Sequence, residues 1–434
     1  MTLLRTFGIN NINKLGKFCY NNLPTFRTQL RLYNTQQEVV VSFYDDKATK
    51  YAEKSIRPVT LKELMRFVQP SLNNTSTLLE SAKYTRSELP VRLARRVKAL
   101  QNLPFIVGTN PYIKSIYKLY YNSFELIRSF PENICDKGID EKFAEMLKEM
   151  VTSHSENIPT LAKGMTFLLD YFFINFFKFS LSLFFFKGFQ ECKKYMSPED
   201  IKNFLDDMIS ARIGIRLIAE QHIALHNNLN DTSYTGIIDT KLQPQKSIQS
   251  CSNFVKELCE VHYGSAPNIL IDGQIDTIFT YVPVHLEYII TELLKNSCRA
   301  TVEYSQKVNR TKHPPVIVTI SKGKNFIGIR VRDQGGGVPT KDLTSIFDYS
   351  YTTVPQDDII GGLEGQNILA NVSKMAMQSG LGGPIAGLGY GLPLARIYAN
   401  YFGGSIDLVS LHDYGCDVFL RLKQIDKSLE DLEI

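Results

Sequence analysis

ELLKNSCRAT, running from Glu292 to Thr301, decides how this chain is read. Glu292, Asn296 and Arg299 recur at spacings of four and three, so on a helix they share one face, with Lys295 beside them. A carboxylate, a carboxamide and two cations do not line a dry core without partners. Ile289, Ile290, Leu293 and Leu294 supply the apolar stripe on the other side. The plain alternative is a solvated face held by charge pairs, Glu292 to Lys295 among them. Downstream, VIVTI from Val316 and FIGIRVRD from Phe326 alternate in polarity and predict adjacent strands. Ile327, Ile329, Val331 and Asp333 share one parity, which sets the Asp333 carboxyl on the apolar face at a strand end, in need of a donor.

Glycines follow at once. Gly335 to Gly337 leave backbone that a flat ligand can approach, because no Cβ intervenes. A glycine-rich segment then closes with GLGYGLP, Gly387 to Pro393, ahead of the helical pattern LARIYANYF. Pro393 suits a first helical turn, and the free amides of such a turn receive phosphate. One GxGxG is weak evidence of a nucleotide loop. An Asn-bearing helix, an Asp with a glycine cluster and a glycine-rich lid, in that order, resemble the ATP-binding fold shared by gyrase, MutL, the heat-shock chaperones of that class and histidine kinases. The strings TELLKNSCRAT, DQGGGV, YTTVP and GLGYGLP together resemble the mitochondrial kinases of 2-oxo acid dehydrogenase complexes, the pyruvate and branched-chain dehydrogenase kinases. Leu79 to Pro111 and Ala211 to Asn227 are similar to the best-marked segments of that family's helical half. LPFIVGTNP, IALHN and LCEVHYGSAP lean in wording toward the branched-chain type.

The resemblance implies a set of roles. Asn296 is the ligand of Mg2+, a hard ion suited to a neutral oxygen. Asp333 accepts from the adenine amino group, with Gly335 and Gly337 beneath the base and Thr352 and Thr353 bonding near base or phosphates. Gly387, Leu388, Gly389, Tyr390, Gly391 and Leu392 form the phosphate lid. Glu292 is the general base for an attacking hydroxyl, and Lys295 and Arg299 stabilise phosphate charge. Gln221 and His222 match a family string whose His lies near that Glu, so His222 is expected to tune Glu292. ATP and Mg2+ are the implied cofactors, with K+ an optional companion. Phosphate goes to a serine of the decarboxylase subunit, the lipoyl-bearing core is the docking partner, and a homodimer in the mitochondrial matrix is expected.

The order of patterns predicts an α+β chain: a four-helix-like bundle over residues 59–227, then an α/β sandwich ATPase domain over 236–424. Helical patterns cover LKELMRFV, Leu89 to Leu103, YIKSIYKLYYNSFELIRSF, EKFAEMLKEMVTSH and SPEDIKNFLDDMISARIGIRLIAEQHIALH, the last opened by a capping Ser197 before Pro198. NLNDTSYT marks the boundary; GIIDTKL and NILIDG predict strands, and IQSCSNFVKELCEVHYG a helix stopped by Gly264. Residues 1–37 contain no acid but carry Arg5, Lys14, Lys17, Arg27 and Arg31, the composition of a mitochondrial presequence.

The 434 residues suffice for two ordinary domains, and a net charge of +5 is mild. Seven cysteines without paired spacing fit a reducing interior, and no nucleic-acid signature is present. HRD, DFG, VAIK and Walker strings are absent, which excludes ordinary kinases and P-loop enzymes. One stretch departs from the family pattern: residues 167–186, FLLDYFFINFFKFSLSLFFF, hold nine of the 26 phenylalanines. It reads as an insertion or untranslated genomic stretch, with a membrane helix and a buried helix as alternatives. A histidine-kinase-like protein and an ATPase or chaperone on the same nucleotide fold are the competing functions.

Overall fold

The computed structural model describes residues 46–66, 74–132, 134, 136–155, 195–227, 233–349 and 391–424. The presequence, the Phe-rich stretch, Thr352, Thr353, Gly387, Leu388, Gly389 and Tyr390 lie outside the described residues. Among the described residues no helix is long and apolar enough to cross a membrane.

The first half is helical: α1 (Asp46–Ala52), α2 (Leu61–Met65), α3 (Asn74–Gln101), α4 (Phe105–Thr109), α5 (Pro111–Ser129), α6 (Lys137–Ser155) and α7 (Pro198–Asn227). The long helices α3, α5, α6 and α7 pack on one another as the expected bundle. Its ends are capped by identifiable groups. The Asp200 amide donates to Ser197 Oγ at 3.1 Å, as the Ser-Pro start predicts. The guanidinium of Arg86 donates to the carbonyls of Arg128 and Phe130, both at 2.8 Å, and so satisfies the last turn of α5. Helix α3 begins fifteen residues before Leu89, with Pro90 inside it. The sequence pattern begins the helix at Leu89; the turns upstream belong to it because Leu78, Ala82 and Leu89 continue one buried stripe, with Ser81, Thr85, Arg86 and Glu88 buried beside it.

The second half opens with β1 (Tyr234–Thr235) and β2 (Ile238–Leu242), continues with α8 (Pro244–Tyr263), β3 (Ile269–Gly273), β4 (Phe279–Tyr281), α9 (Pro283–Lys307), β5 (Val316–Lys322) and β6 (Phe326–Arg332), and closes with α10 (Gly391–Tyr401), β7 (Ser405–Leu411) and β8 (Gly415–Lys423). Helix α8 ends at Gly264, φ 73°, whose amide returns to Glu260 O. Five strands form one sheet in the order β3-β5-β6-β8-β7, parallel at β3–β5 and antiparallel elsewhere. Val316, Val318, Ile320, Ile327, Ile329, Val331, Leu420 and Leu422 are all buried, so one face of the sheet is core. Helices α8, α9 and α10 pack together over the sheet. On α9 the stripe Ile289, Ile290, Leu293 and Leu294 is buried to 1 % exposure or less. Each such side chain contributes roughly 1.5–3 kcal/mol. The opposite side of α9 is thereby left to the polar residues.

Helix α10 joins the halves. Gly214 of α7 has no Cβ where the Tyr401 hydroxyl sits, 2.6 Å from the position a Cβ would take. Lys202 of α7 pairs with Asp348 at 2.6 Å, and Tyr349 donates to Asp206. Gln221 accepts from the Ile237 amide at 2.9 Å while donating to Leu64 O and Thr235 O at 3.0 and 3.1 Å.

Candidate active site

Three pieces of chain meet along α9. The carboxyl of Asp333 lies just beyond β6, 5 % exposed, on the apolar face that its parity predicts. Its Oδ1 accepts from the amides of Gly335 at 2.9 Å and Cys416 at 3.1 Å, and Ser297 of α9 adds a side-chain hydrogen bond. Burial pushes this carboxyl above the ordinary range, against the opposing pull of Gly335, Cys416 and Ser297. A carboxylate held so firmly has a fixed direction and keeps acceptor capacity for one more donor.

The glycines after Asp333 solve a packing problem. A Cβ on Gly335 would lie 2.5 Å from Ala300 Cβ and 2.7 Å from its carbonyl carbon, so the loop can rest on α9 only without one. Gly336 and Gly337 adopt φ of 81° and 72°, the left-handed region. A Cβ on Gly336 would meet the Tyr304 ring at 2.4 Å, and one on Gly337 the Leu411 carbonyl at 2.4 Å. The space where these side chains would sit is filled by α9 and β7; toward a ligand the loop can offer backbone.

One and a half turns before Ser297 stands Glu292, paired with Lys295 Nζ at 2.8 Å, the two side chains 14 % and 15 % exposed. The position of a Cβ on Gly391, the first residue of α10, is 2.3 Å from Glu292 Oε2. The start of α10 therefore touches the carboxylate, and Leu392 follows it, half-buried. Asn296, one turn on from Glu292, is exposed, and its side chain has no hydrogen-bond partner among the described residues. Its carboxamide oxygen fits a hard divalent cation, which takes neutral and anionic oxygens and retains water. The first-turn amides of α10, which make no bond to a described residue, fit phosphate.

Arg299 turns away from this group: its Nε pairs with Glu303 at 2.7 Å, and the Tyr263 hydroxyl donates to the same carboxylate at 3.0 Å. His222 is a correction. It lies fully buried in the bundle, with Nδ1 3.1 Å from Ser81 Oγ and Nε2 3.3 Å from Asp140 Oδ1, and Glu292 is not among its partners. The physical reason is the helical phase of α7: Gln221 faces β1 and β2, and the next residue is turned into the bundle interior. Two neighbours of the site escape the motif reading. Tyr288, one turn before Glu292, packs on Tyr398 of α10 with ring centroids 5.0 Å apart. Burial and the Glu292 charge push its hydroxyl well above the usual range. Ser297 is the other. The four-residue spacing from Glu292 could have singled out Tyr288; Ser297 looks like any small residue of a helix.

Residues 58–175 and 183–239 match the family model described as mitochondrial branched-chain alpha-ketoacid dehydrogenase kinase, leaving 176–182 unmatched. Residues 281–425 match that of the histidine kinase-, DNA gyrase B- and HSP90-like ATPases, which spans Glu292, Asn296, Asp333, Gly335 to Gly337 and the start of α10. The chain is similar to the mitochondrial [pyruvate dehydrogenase (acetyl-transferring)] kinase of Arabidopsis thaliana, 33 % identical over 381 residues, 86 % of this chain and 92 % of the relative. It is also similar to the Schizosaccharomyces pombe protein of the same description, 29 % identical over 418 residues, 86 % and 95 %. Isozyme 4 of Mus musculus is 28 % identical over 395 residues, 88 % and 85 %.

Proposed function

The chain belongs to the family of mitochondrial 2-oxo acid dehydrogenase kinases, and on that premise we propose that it is a mitochondrial protein serine kinase that uses MgATP to phosphorylate and inactivate the decarboxylase subunit of a 2-oxo acid dehydrogenase complex. The observation that carries the reading is the meeting of Asp333, Glu292 and Gly391 along one helix. The pyruvate complex is the first substrate, supported by the names of the relatives from Arabidopsis, fission yeast and mouse. The branched-chain complex is the second reading, favoured by the description of the model that matches residues 58–239.

In this reading Asp333 accepts from the adenine amino group, and the backbone of Gly335 to Gly337 lies beside the base. Asn296 supplies an oxygen to Mg2+, which when bound neutralises charge on the phosphates. The first amides of α10, from Gly391 and Leu392, would receive the phosphates, and Gly387, Leu388, Gly389 and Tyr390 are proposed as further phosphate contacts. Glu292, one turn from the metal ligand, takes the proton of the attacking serine hydroxyl. Lys295 orients that carboxylate through its 2.8 Å ion pair. Thr352 and Thr353 are proposed as further contacts to the nucleotide. The location is the matrix, and the assembly a homodimer, supported by exposed Val409, Leu411 and Phe419 on the outer face of the sheet.

Purified chain incubated with labelled ATP and, separately, each dehydrogenase complex tests the proposal. Label is expected on a serine of one decarboxylase subunit, and Glu292→Gln should abolish it. Label on a histidine of the chain itself, with neither complex modified, overturns the serine-kinase reading in favour of a histidine kinase; ATP hydrolysis without any phosphoprotein favours a chaperone-like ATPase.

A further inference from the structure

The bundle contains a cluster that phosphoryl transfer does not use. His222 and His226 stand one turn apart on α7, and Asp140 reaches them from the first turn of α6. One ligand atom from each of the three lies within 4.8 Å of the others. Asp140 Oδ1 is 3.3 Å from His222 Nε2, and Oδ2 is 2.9 Å from His226 Nε2. Ligand atoms bound tetrahedrally at zinc distances stand about 3.3 Å apart.

Short as they are, these contacts lack hydrogen-bond geometry. Both carboxylate oxygens of Asp140 and both Nε2 atoms are buried and without a hydrogen-bond partner among the described residues. Asp140 is 1 % exposed and His222 0 %, so four polar atoms have been taken from water with no donor and acceptor aligned. A cation held by both Nε2 atoms and one carboxylate oxygen would satisfy three of them, and a solvent ligand on it could donate to the fourth. The outer shell is present too: His222 Nδ1 is 3.1 Å from Ser81 Oγ of α3, a contact that, with Nδ1 donating, leaves the Nε2 lone pair directed at the cluster. His226 retains 16 % side-chain exposure, an opening for the ion.

We propose that Asp140, His222 and His226 form a structural binding site for one divalent transition-metal ion of the zinc type, which staples α6 to α7 with Ser81 of α3 behind it. Two imidazoles and one carboxylate suit zinc, whereas Mg2+ and Ca2+ take oxygen shells. Three protein ligands leave a fourth position to a solvent oxygen. This site is separate from the nucleotide group, so its failure leaves the kinase reading standing.

The test uses the full chain, stripped with chelator and titrated with Zn2+ alone. One equivalent per chain is expected by metal analysis, with a rise in the thermal midpoint, and Co2+ in its place should give the visible absorption of a tetrahedral N/O site. His226→Gln should weaken uptake at least tenfold and remove the Co2+ band while leaving MgATP affinity unchanged. Ser81→Ala should weaken it by about tenfold through the outer shell. Wild-type chain that takes up neither ion overturns the proposal without recourse to any variant. So does uptake that is the same in wild type, His226→Gln and Asp140→Asn, since that is binding elsewhere on the surface.

Discussion

Gly391→Ala separates catalysis from stability in one methyl group. The added Cβ would sit 2.3 Å from Glu292 Oε2, so the carboxylate must retreat by about 1 Å to reach ordinary contact. Its carboxylate lies at the end of a flexible side chain, and the retreat is cheap; Gly to Ala in a helix returns up to about 1 kcal/mol of propensity, less in a first turn. The fold should therefore be as stable as before. Function should not survive as well, because a displacement of about 1 Å at a reacting group costs on the order of a hundredfold in rate, near 2.7 kcal/mol of barrier. Turnover with a dehydrogenase complex, MgATP affinity by calorimetry and the thermal midpoint are the three measurements. Expected are kcat down by about two decades, affinity within a few-fold and an unmoved midpoint. If the methyl acts through the carboxylate, Gly391→Ala combined with Glu292→Gln should be no slower than Glu292→Gln alone. A kcat near wild type, or losses that multiply in the double variant, refutes the reasoning.

Gly335→Ala makes the opposite case, since its Cβ meets Ala300 backbone at 2.7 Å rather than a mobile tip. It should cost about 1–3 kcal/mol in chemical denaturation and weaken nucleotide binding as the loop lifts from α9. Asn296→Ala should abolish Mg2+-dependent nucleotide binding; normal MgATP affinity in a calorimeter would remove it from the metal's shell. Acid should destabilise the fold through His285 and His154, both buried and both pushed down to about 3, by burial first and then by Arg216 for the former, and by burial then Arg212 and Arg216 for the latter. The native state leaves them neutral while the unfolded chain binds protons below about 6.5, so stability is full above that pH and falls as pH drops toward 3. Each contributes a slope of about 1.4 kcal/mol per pH unit in that window. Urea midpoints measured from pH 7.5 to 4.5 should show it, and His285→Gln should remove about one proton from the slope; an unchanged slope counts against a neutral, buried His285.

Much of the group around α9 was legible because its signals are periodic. The buried stripe from Ile289 to Leu294 fixed which way Glu292 and Asn296 face, and the parity of Ile327, Ile329 and Val331 carried Asp333 onto the apolar face of the sheet, against α9 at Ser297. Gly264 and Ser197 marked helix ends through groups that satisfy backbone. What escaped has no such period. The upstream half of α3 mixes buried Leu78 and Ala82 with buried Ser81, Thr85 and Arg86, and the partners of Ser81 and Arg86 are far along the chain. Strand β7 carries apolar residues on both faces, Ile406 inward and Val409 and Leu411 outward, which blurs alternation. The partners of Arg299 and His222 depend on which side chains tertiary packing brings near, and a spacing of four cannot choose between Glu303 and a phosphate, or between Asp140 and Glu292.

Helix α10 has one end on Glu292 and the other on α7, where Tyr401 occupies the notch left by Gly214. Its eleven residues make a rod about 16 Å long. A rod held at both tips behaves as a lever: a small sideways shift of the bundle at Gly214 swings Tyr401 and tilts Gly391 against the carboxylate. Anything that loosens or braces α7 is thus expected to reach Gly391 and Glu292 mechanically, with no need for a bound ligand to touch them.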